Sequence, residues 1–108
     1  MAEAGQPSQG MFGRAIWTVA APTRVALSTT TARSAALTVG KLYVACADVA
    51  WHMRQGPLTT SAVTAVASDL PFAAYEKVYV WVTTSDGDDA IAGILDAGTG
   101  FMYIKETL

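Results

Sequence analysis

The stretch from residue 41 to residue 54, KLYVACADVAWHMR, constrains the fold of this chain more than any other. Its large residues recur at every second position, which is the period of a β-strand rather than of a helix. One face carries Tyr43, Val49, Trp51 and Met53, and the other carries Leu42, Val44, Cys46 and Asp48. Because Asp48 interrupts the apolar run, the stretch predicts either one long bent strand or two consecutive strands.

Shorter segments of the same character flank this stretch, and none combines a helix start signal with three turns of periodic apolar residues. Strands are predicted over residues 16–20, 24–29, 34–39, 60–68, 77–83, 90–95 and 101–106. Residues 70–72 are interpreted as a corner, because Pro71 removes a donor from any ladder. The turn-rich residues 85–88 and 96–100 predict hairpins between the strands on either side of them.

This pattern predicts an all-β fold: an antiparallel, jelly-roll-like β-sandwich of seven to nine strands that spans residues 14–108 as one domain. Residues 1–13 are rich in glycine, proline and small polar residues, which favours a flexible N-terminal arm. Met11 and Phe12 are large apolar exceptions within this arm. They predict an anchor that docks on a neighbouring subunit; the alternative is that they cover an edge of the domain's own core.

The chain has few charged residues and many hydrophobic ones: 15% of the residues are charged and 52% are hydrophobic. Part of the surface is therefore expected to be covered by another chain. The formal net charge is −2 and the seven Lys and Arg residues are scattered singly, which argues against nucleic acid and anionic membranes as partners.

The N-terminus does not resemble a secretory signal and no apolar run could span a bilayer, so we expect a soluble chain.

No arrangement of reactive side chains predicts a catalytic residue. His52 is the only histidine, and Cys46 lies six positions before it on the same predicted stretch. At the rise of a strand this separation is roughly 20 Å, too far for a nucleophile and its base. The isolated carboxylates that could form a catalytic pair are Asp48, Asp69 and Asp96. Nothing in the sequence brings two of them together.

Cofactor and metal sites are not predicted either. Asp86, Asp88 and Asp89 surround Gly87, and this arrangement superficially resembles a calcium loop. It lacks the later bidentate glutamate and lies between two predicted strands, so a turn is favoured over a cation site.

The tryptophans and tyrosines are spread over at least four predicted strands. They comprise Trp17, Trp51, Trp81 and the four tyrosines. A place in the core or at a subunit interface is favoured over a sugar-binding platform. Trp51, His52 and Arg54 are predicted to lie near a subunit boundary.

The succession LYVACADVAWHMRQG, TTSAVTAVASDLPFAA, KVYVWVTT and DDAIAGILDAGTGFMYI resembles small β-sandwich virion accessory proteins of tailed bacteriophages and phage-like particles. The similarity covers roughly residues 35–104 and consists of strands and corners: a small-residue strand, a Leu-Pro corner, a valine-aromatic strand and a Gly-Thr-Gly turn.

The resemblance implies a structural virion protein without enzymatic activity, which decorates or stabilises the capsid or forms the base of a head spike or fibre. Its implied partners are further copies of itself and other virion proteins, such as the major capsid protein or a spike or fibre. The implied location is the virion, after synthesis in the host cytoplasm. The competing hypothesis is a carbohydrate-binding β-sandwich module.

Overall fold

The computed structural model describes residues 22–107, and these residues form β-strands and no helix. The strands are β1 (Thr23–Leu27), β2 (Ala32–Arg33), β3 (Leu42–Ala47), β4 (Trp51–Gly56), β5 (Leu70–Phe72), β6 (Val78–Trp81), β7 (Ala90–Ile94) and β8 (Gly100–Glu106). They form two four-stranded antiparallel sheets. Sheet A has the order β1-β8-β3-β6, and sheet B has the order β2-β7-β4-β5.

The pairing of these strands is that of a jelly roll. β1 pairs with β8, β2 with β7, β3 with β6 and β4 with β5, as in one long hairpin folded over on itself. The further pairs β3–β8 and β4–β7 join the four ribbons into two sheets. The predicted antiparallel, jelly-roll-like sandwich is therefore confirmed, with eight strands among the described residues. The strand predicted over residues 16–20 and the proposed boundary between residues 13 and 14 lie outside the described residues.

Both predicted hairpins are wrong. β6 belongs to sheet A and β7 to sheet B, while β8 returns to sheet A. Residues 82–89 and 95–99 therefore connect one sheet to the other instead of joining paired neighbours. A turn signal reports that the chain reverses, but it does not report which strands hydrogen-bond to each other.

The central stretch divides into two strands at the position predicted from Asp48. β3 lies in sheet A and β4 in sheet B, and the Asp48 carboxylate accepts a hydrogen bond from the Phe101 amide at 2.9 Å. The odd-numbered face of the stretch points into the core between the sheets. Its buried members and their neighbours from both sheets are Leu27, Tyr43, Ala45, Ala47, Trp51, Val80, Val82, Ile91, Leu95, Met102 and Ile104.

The segment over residues 60–68 is not a strand, although its alternation of burial is real. Val63 and Ala65 are buried against Ala90 and Ala92 of β7, on the face of sheet B that points away from sheet A. The backbone bonds of the segment go partly to side chains. For example, the Ala65 amide donates to the Thr31 hydroxyl at 2.8 Å. The segment thus covers the outer face of sheet B without joining its ladder.

Two other predicted assignments also change. Residues 70–72 form β5, an edge strand that pairs only with β4, and an edge position is where a strand tolerates proline. Residues 34–39, which were predicted to form a strand, do not form one, because the regular pairing with β7 ends at Arg33. Isolated bonds continue beyond it, such as that from the Leu37 amide to the Asp89 carbonyl at 2.8 Å.

Candidate interaction surfaces

The five residues proposed for subunit contacts have different positions. Met11 and Phe12 lie outside the described residues. Trp51 is 1% exposed and packs in the core, where its ring centroid lies 6.1 Å from that of Phe72. The prediction that Trp51 lies near a subunit boundary is corrected, because a side chain at this depth cannot touch a second copy. His52 and Arg54 alternate with Trp51 and point to the outer side of sheet B.

Both ring nitrogens of His52 lie within hydrogen-bonding distance of an oxygen atom. Its Nδ1 lies 3.0 Å from the backbone carbonyl of Asp69, and its Nε2 lies 3.1 Å from Asp96 Oδ1. Since both partners are acceptors, the ring donates to both only when it is protonated. The Asp69 carbonyl, followed by the Asp96 carboxylate, raises the pKa of His52 above its ordinary value. Neither ring nitrogen is free to act as a general base in this arrangement.

Arg54 completes the same polar cluster. Its Nε and Nη2 donate to Asp69 Oδ1 at 2.9 and 2.6 Å. Asp69 Oδ2 accepts from the Val66 amide at 2.8 Å. This amide is the largest cause of a lowered Asp69 pKa, and Arg54 contributes further. The structure thus brings Asp69 and Asp96 together around His52, which the sequence did not indicate. The cluster fastens β5 and the loop after β7 to β4.

The acidic loop between β6 and β7 binds its own chain. The Asp86 carboxylate accepts from the Thr59 amide at 2.7 Å and from both the amide and the hydroxyl of Thr60. Asp88 accepts from the Thr83 amide at 2.9 Å. The hydroxyl of Thr60 is the largest cause of a strongly lowered Asp86 pKa. Within residues 22–107, no three His, Cys, Asp or Glu side chains are grouped to hold a metal ion.

The outer face of sheet A differs sharply from this polar surface. On β6, Val80 points into the core, whereas Tyr79 and Trp81 point outward and are 46% and 54% exposed. Tyr75, just before this strand, is 72% exposed. We call Tyr75, Tyr79 and Trp81 the aromatic strip. Among the described residues, the outer face of β6 is therefore partly exposed to solvent, whereas its inner face is buried.

An apolar groove lies on the same face of sheet A. It has a volume of about 330 Å³, and almost all of its exposed lining is carbon. Its lining residues are Pro22, Val44, Cys46, Tyr75, Lys77, Tyr103 and Lys105. They come from β8 and β3 and from the residues just before β1 and β6, so the groove crosses the sheet from one edge to the other. Burial raises the pKa of the Cys46 thiol on its floor.

A second, more polar hollow of about 410 Å³ adjoins the other end of the aromatic strip. It is lined by Gly40, Lys41, Leu42, Trp81, Glu106 and Thr107. Lys41 Nζ and Glu106 Oε2 form an ion pair at 3.1 Å along its wall. The hollow therefore combines one exposed indole with charged and hydroxyl groups.

Comparisons with protein-family models, with curated proteins and with solved structures found no significant match to this chain. Residues 22–107 contain no helix that is long and apolar enough to cross a membrane.

Proposed function

We propose that this chain is a self-associating structural protein of a bacteriophage or phage-like particle. It decorates or stabilises the capsid, or forms the base of a head spike or fibre, and it acts by packing rather than by catalysis. The observation that carries this proposal is the aromatic strip on the outer face of sheet A, because solvent-exposed aromatic groups on one sheet face are typical of a surface that another chain covers.

The exposed part of the aromatic strip amounts to about 350 Å², taking roughly 200–250 Å² for each whole side chain. A standard protein interface buries about 800 Å² on each partner. The strip would therefore supply the apolar centre of such an interface. Aromatic residues at the centre of an interface contribute most of its binding free energy, while the surrounding polar residues exclude water.

Two further features support a role in assembly. The jelly roll is common among viral capsid proteins, although a fold alone does not fix a function. The polar groups of the opposite, outer side of sheet B are occupied by bonds within the chain, as at His52, Arg54 and Asp86. Met11 and Phe12 remain the proposed anchor of the N-terminal arm on a neighbouring copy. His52 and Arg54 remain proposed to lie near a subunit boundary, which would be a different boundary from the one formed by the outer face of sheet A.

The particle itself provides the test of the virion assignment. Particles from a culture that produces this chain are banded on a density gradient, and the proteins of each fraction are quantified by mass spectrometry. The proposal predicts that the chain follows the major capsid protein through the gradient in a fixed ratio. Recovery of the chain only in the unsedimented fraction would show that it is not a virion component.

The hollow beside Trp81 favours a second candidate function, which is binding of a carbohydrate. An indole offers a face on which a sugar ring can stack, and Lys41, Glu106 and Thr107 offer hydrogen bonds to its hydroxyl groups. A glycan array tests this directly. Carbohydrate binding requires a signal that is lost in Trp81→Ala and kept in the matched variant Tyr75→Ala, which lies outside the hollow.

A further inference from the structure

Tyr75 has a backbone conformation that its own side chain disfavours. Its φ angle is 64°, in the left-handed region, where bulky residues are rarely found. The Glu76 amide donates to the Ala73 carbonyl at 3.2 Å, so residues 73–76 form a β-turn with Tyr75 at its third position. A turn with a positive φ at that position ordinarily has glycine there. The backbone alone therefore does not account for a tyrosine in this turn.

The hydrogen bonds that hold the turn do not involve the Tyr75 ring. The Tyr75 amide donates to the Ala47 carbonyl at the end of β3 at 2.7 Å, and Glu76 Oε1 accepts from the Ala73 amide at 2.8 Å. The Tyr75 side chain itself is 72% exposed. Backbone strain that the surrounding structure maintains is concentrated at sites with a function. The exposed ring is therefore a candidate for contact with another molecule.

The ring lies beside the apolar groove on the outer face of sheet A. Tyr75 forms one part of the groove wall, and Val44, Cys46 and Tyr103 form other parts. The groove volume of about 330 Å³ is at the lower end of the range of about 300–1,000 Å³ for ligand pockets, so the groove suits a single large side chain. A projecting aromatic ring and an apolar groove thus lie next to each other on one face. Such a face is complementary to a second copy of itself, as a two-fold interface requires.

We propose that Tyr75 anchors a two-fold symmetric dimer, in which the Tyr75 ring of each copy enters the apolar groove of the other copy. This inference rests on the proposed function, because it specifies how the copies pack through the outer face of sheet A. The available area fits a second copy as the occupant. The aromatic strip supplies about 350 Å² beside the groove, which is nearly half of the roughly 800 Å² that each partner of a standard interface buries.

The charges around the groove also favour a second copy. Glu76 and Lys77 follow Tyr75 directly, and both are exposed. Lys77 lines the groove, whereas Glu76 lies next to the ring that would enter it. When two copies exchange rings across a two-fold axis, Glu76 of each copy comes near Lys77 of the other, so opposite charges meet twice. A neutral apolar ligand would offer no such pairing.

Replacement of Tyr75 by glycine separates the proposed contact from folding. Tyr75→Gly removes the ring and gives the turn the residue that a positive φ favours. Thermal unfolding, at a concentration where the monomer dominates, is expected to give a midpoint equal to that of the parent chain or higher. Self-association, measured by sedimentation velocity over a concentration series, is expected to weaken by about tenfold or more, because the ring contributes about 140 Å² to the contact, 72% of roughly 200 Å².

Leu70→Ala is the matched control. Leu70 is 71% exposed, as Tyr75 is, but it lies on β5 at the edge of sheet B, so its truncation is expected to change association by less than about twofold. An equal loss of association in both variants would overturn the inference, and so would a lower unfolding midpoint in Tyr75→Gly. A parent chain that associates as strongly as Tyr75→Gly overturns this inference alone, whereas a parent chain that stays monomeric at every concentration overturns the proposed function as well.

Alkylation of Cys46 provides a second measurement, which needs no substitution. Cys46 lines the groove and is the only cysteine of the chain. If the Tyr75 ring of a second copy enters the groove, the reaction of Cys46 with iodoacetamide is expected to slow several-fold as the protein concentration rises through the range in which the copies associate. In Tyr75→Gly, the rate is expected to stay constant over the same range. A constant rate in the parent chain would place the contact elsewhere and overturn the inference.

Discussion

Trp51 and Trp81 provide a matched pair of substitutions that separates folding from association. The change to alanine is the same at both positions, but Trp51 is 1% exposed in the core and Trp81 is 54% exposed on the outer face of sheet A. Truncation of a buried tryptophan costs about 3–5 kcal/mol of unfolding free energy. Truncation of a side chain this exposed costs about 0.5 kcal/mol or less.

The effect of Trp81→Ala on association follows from its exposed area. About 54% of a side chain of roughly 250 Å² is open to solvent, which is about 130 Å². At about 25 cal/mol per Å², full coverage by a second copy contributes at most about 3 kcal/mol. The corresponding loss of affinity is up to about a hundredfold. Part of this is offset by the entropy of association, so a loss of tenfold to a hundredfold is expected.

The assay measures both quantities on each variant. Urea unfolding is followed by circular dichroism at a protein concentration where the monomer dominates, and self-association is followed by sedimentation velocity over a concentration series. Trp51→Ala is expected to lower the unfolding free energy, and Trp81→Ala is expected to weaken only association. The reasoning fails if Trp81→Ala leaves association unchanged, or if Trp51→Ala costs less than about 1 kcal/mol.

Three further predictions concern the fold and its titration. Gly93→Ala is expected to lower the unfolding free energy by about 1–3 kcal/mol, because a Cβ there would lie 2.9 Å from atoms of both Leu27 and Trp51; an unchanged urea midpoint would contradict this. His52, the only histidine, is expected to titrate by NMR above its ordinary pKa, since its two acceptors favour the charged ring. Its contribution to stability is then complete below the unfolded-state pKa and disappears as the pH rises through the folded-state value; a midpoint at or below about 6.5 would refute this. Asp86→Asn is expected to destabilise the fold most at neutral pH, because the lowered carboxylate pKa means that the stabilisation is complete above the unfolded-state pKa and declines as the pH falls below it toward the folded-state value. The difference in thermal unfolding between variant and parent is therefore expected to be smaller near pH 2 than near pH 7, and an equal difference at both pH values would contradict the assignment.

The period-two pattern made much of the sheet architecture predictable. The alternation in the sequence places Tyr43 and Trp51 on the same face of the central stretch, and this face points into the core. Asp48 marked the change of sheet, because a polar residue inside an apolar run fits where regular pairing stops. Both signals are local, and both survive because burial of one strand face depends on neighbours two residues apart.

Pairing between distant strands was not predictable in the same way. The segments before and after residues 96–100 look like a hairpin in sequence, yet β7 and β8 lie in different sheets. Likewise, Val63 and Ala65 alternate with exposed residues as a strand would, but they pack over sheet B without pairing. Alternation reports which side chains are buried, and it carries no information about where the backbone hydrogen bonds go.

The interaction surfaces were missed for a related reason. Trp51 and Trp81 both alternate with smaller residues on clear strands, and the sequence does not say which is inside. Which of the two indoles is buried depends on which face of each strand packs against the other sheet.

The polar cluster around His52 was not predictable from the sequence either. Asp69 and Asp96 contact His52 because β4, β5 and the loop after β7 lie next to each other in the fold, and the spacing of these residues in the sequence does not indicate this.

The mass of the unmodified protein in solution tests the central claim most directly. Light scattering is recorded during size-exclusion chromatography at several loading concentrations. Self-association through the outer face of sheet A predicts a discrete species at an integer multiple, greater than one, of the 11.3 kDa chain mass. A single species of 11.3 kDa at every concentration would contradict the proposed self-association.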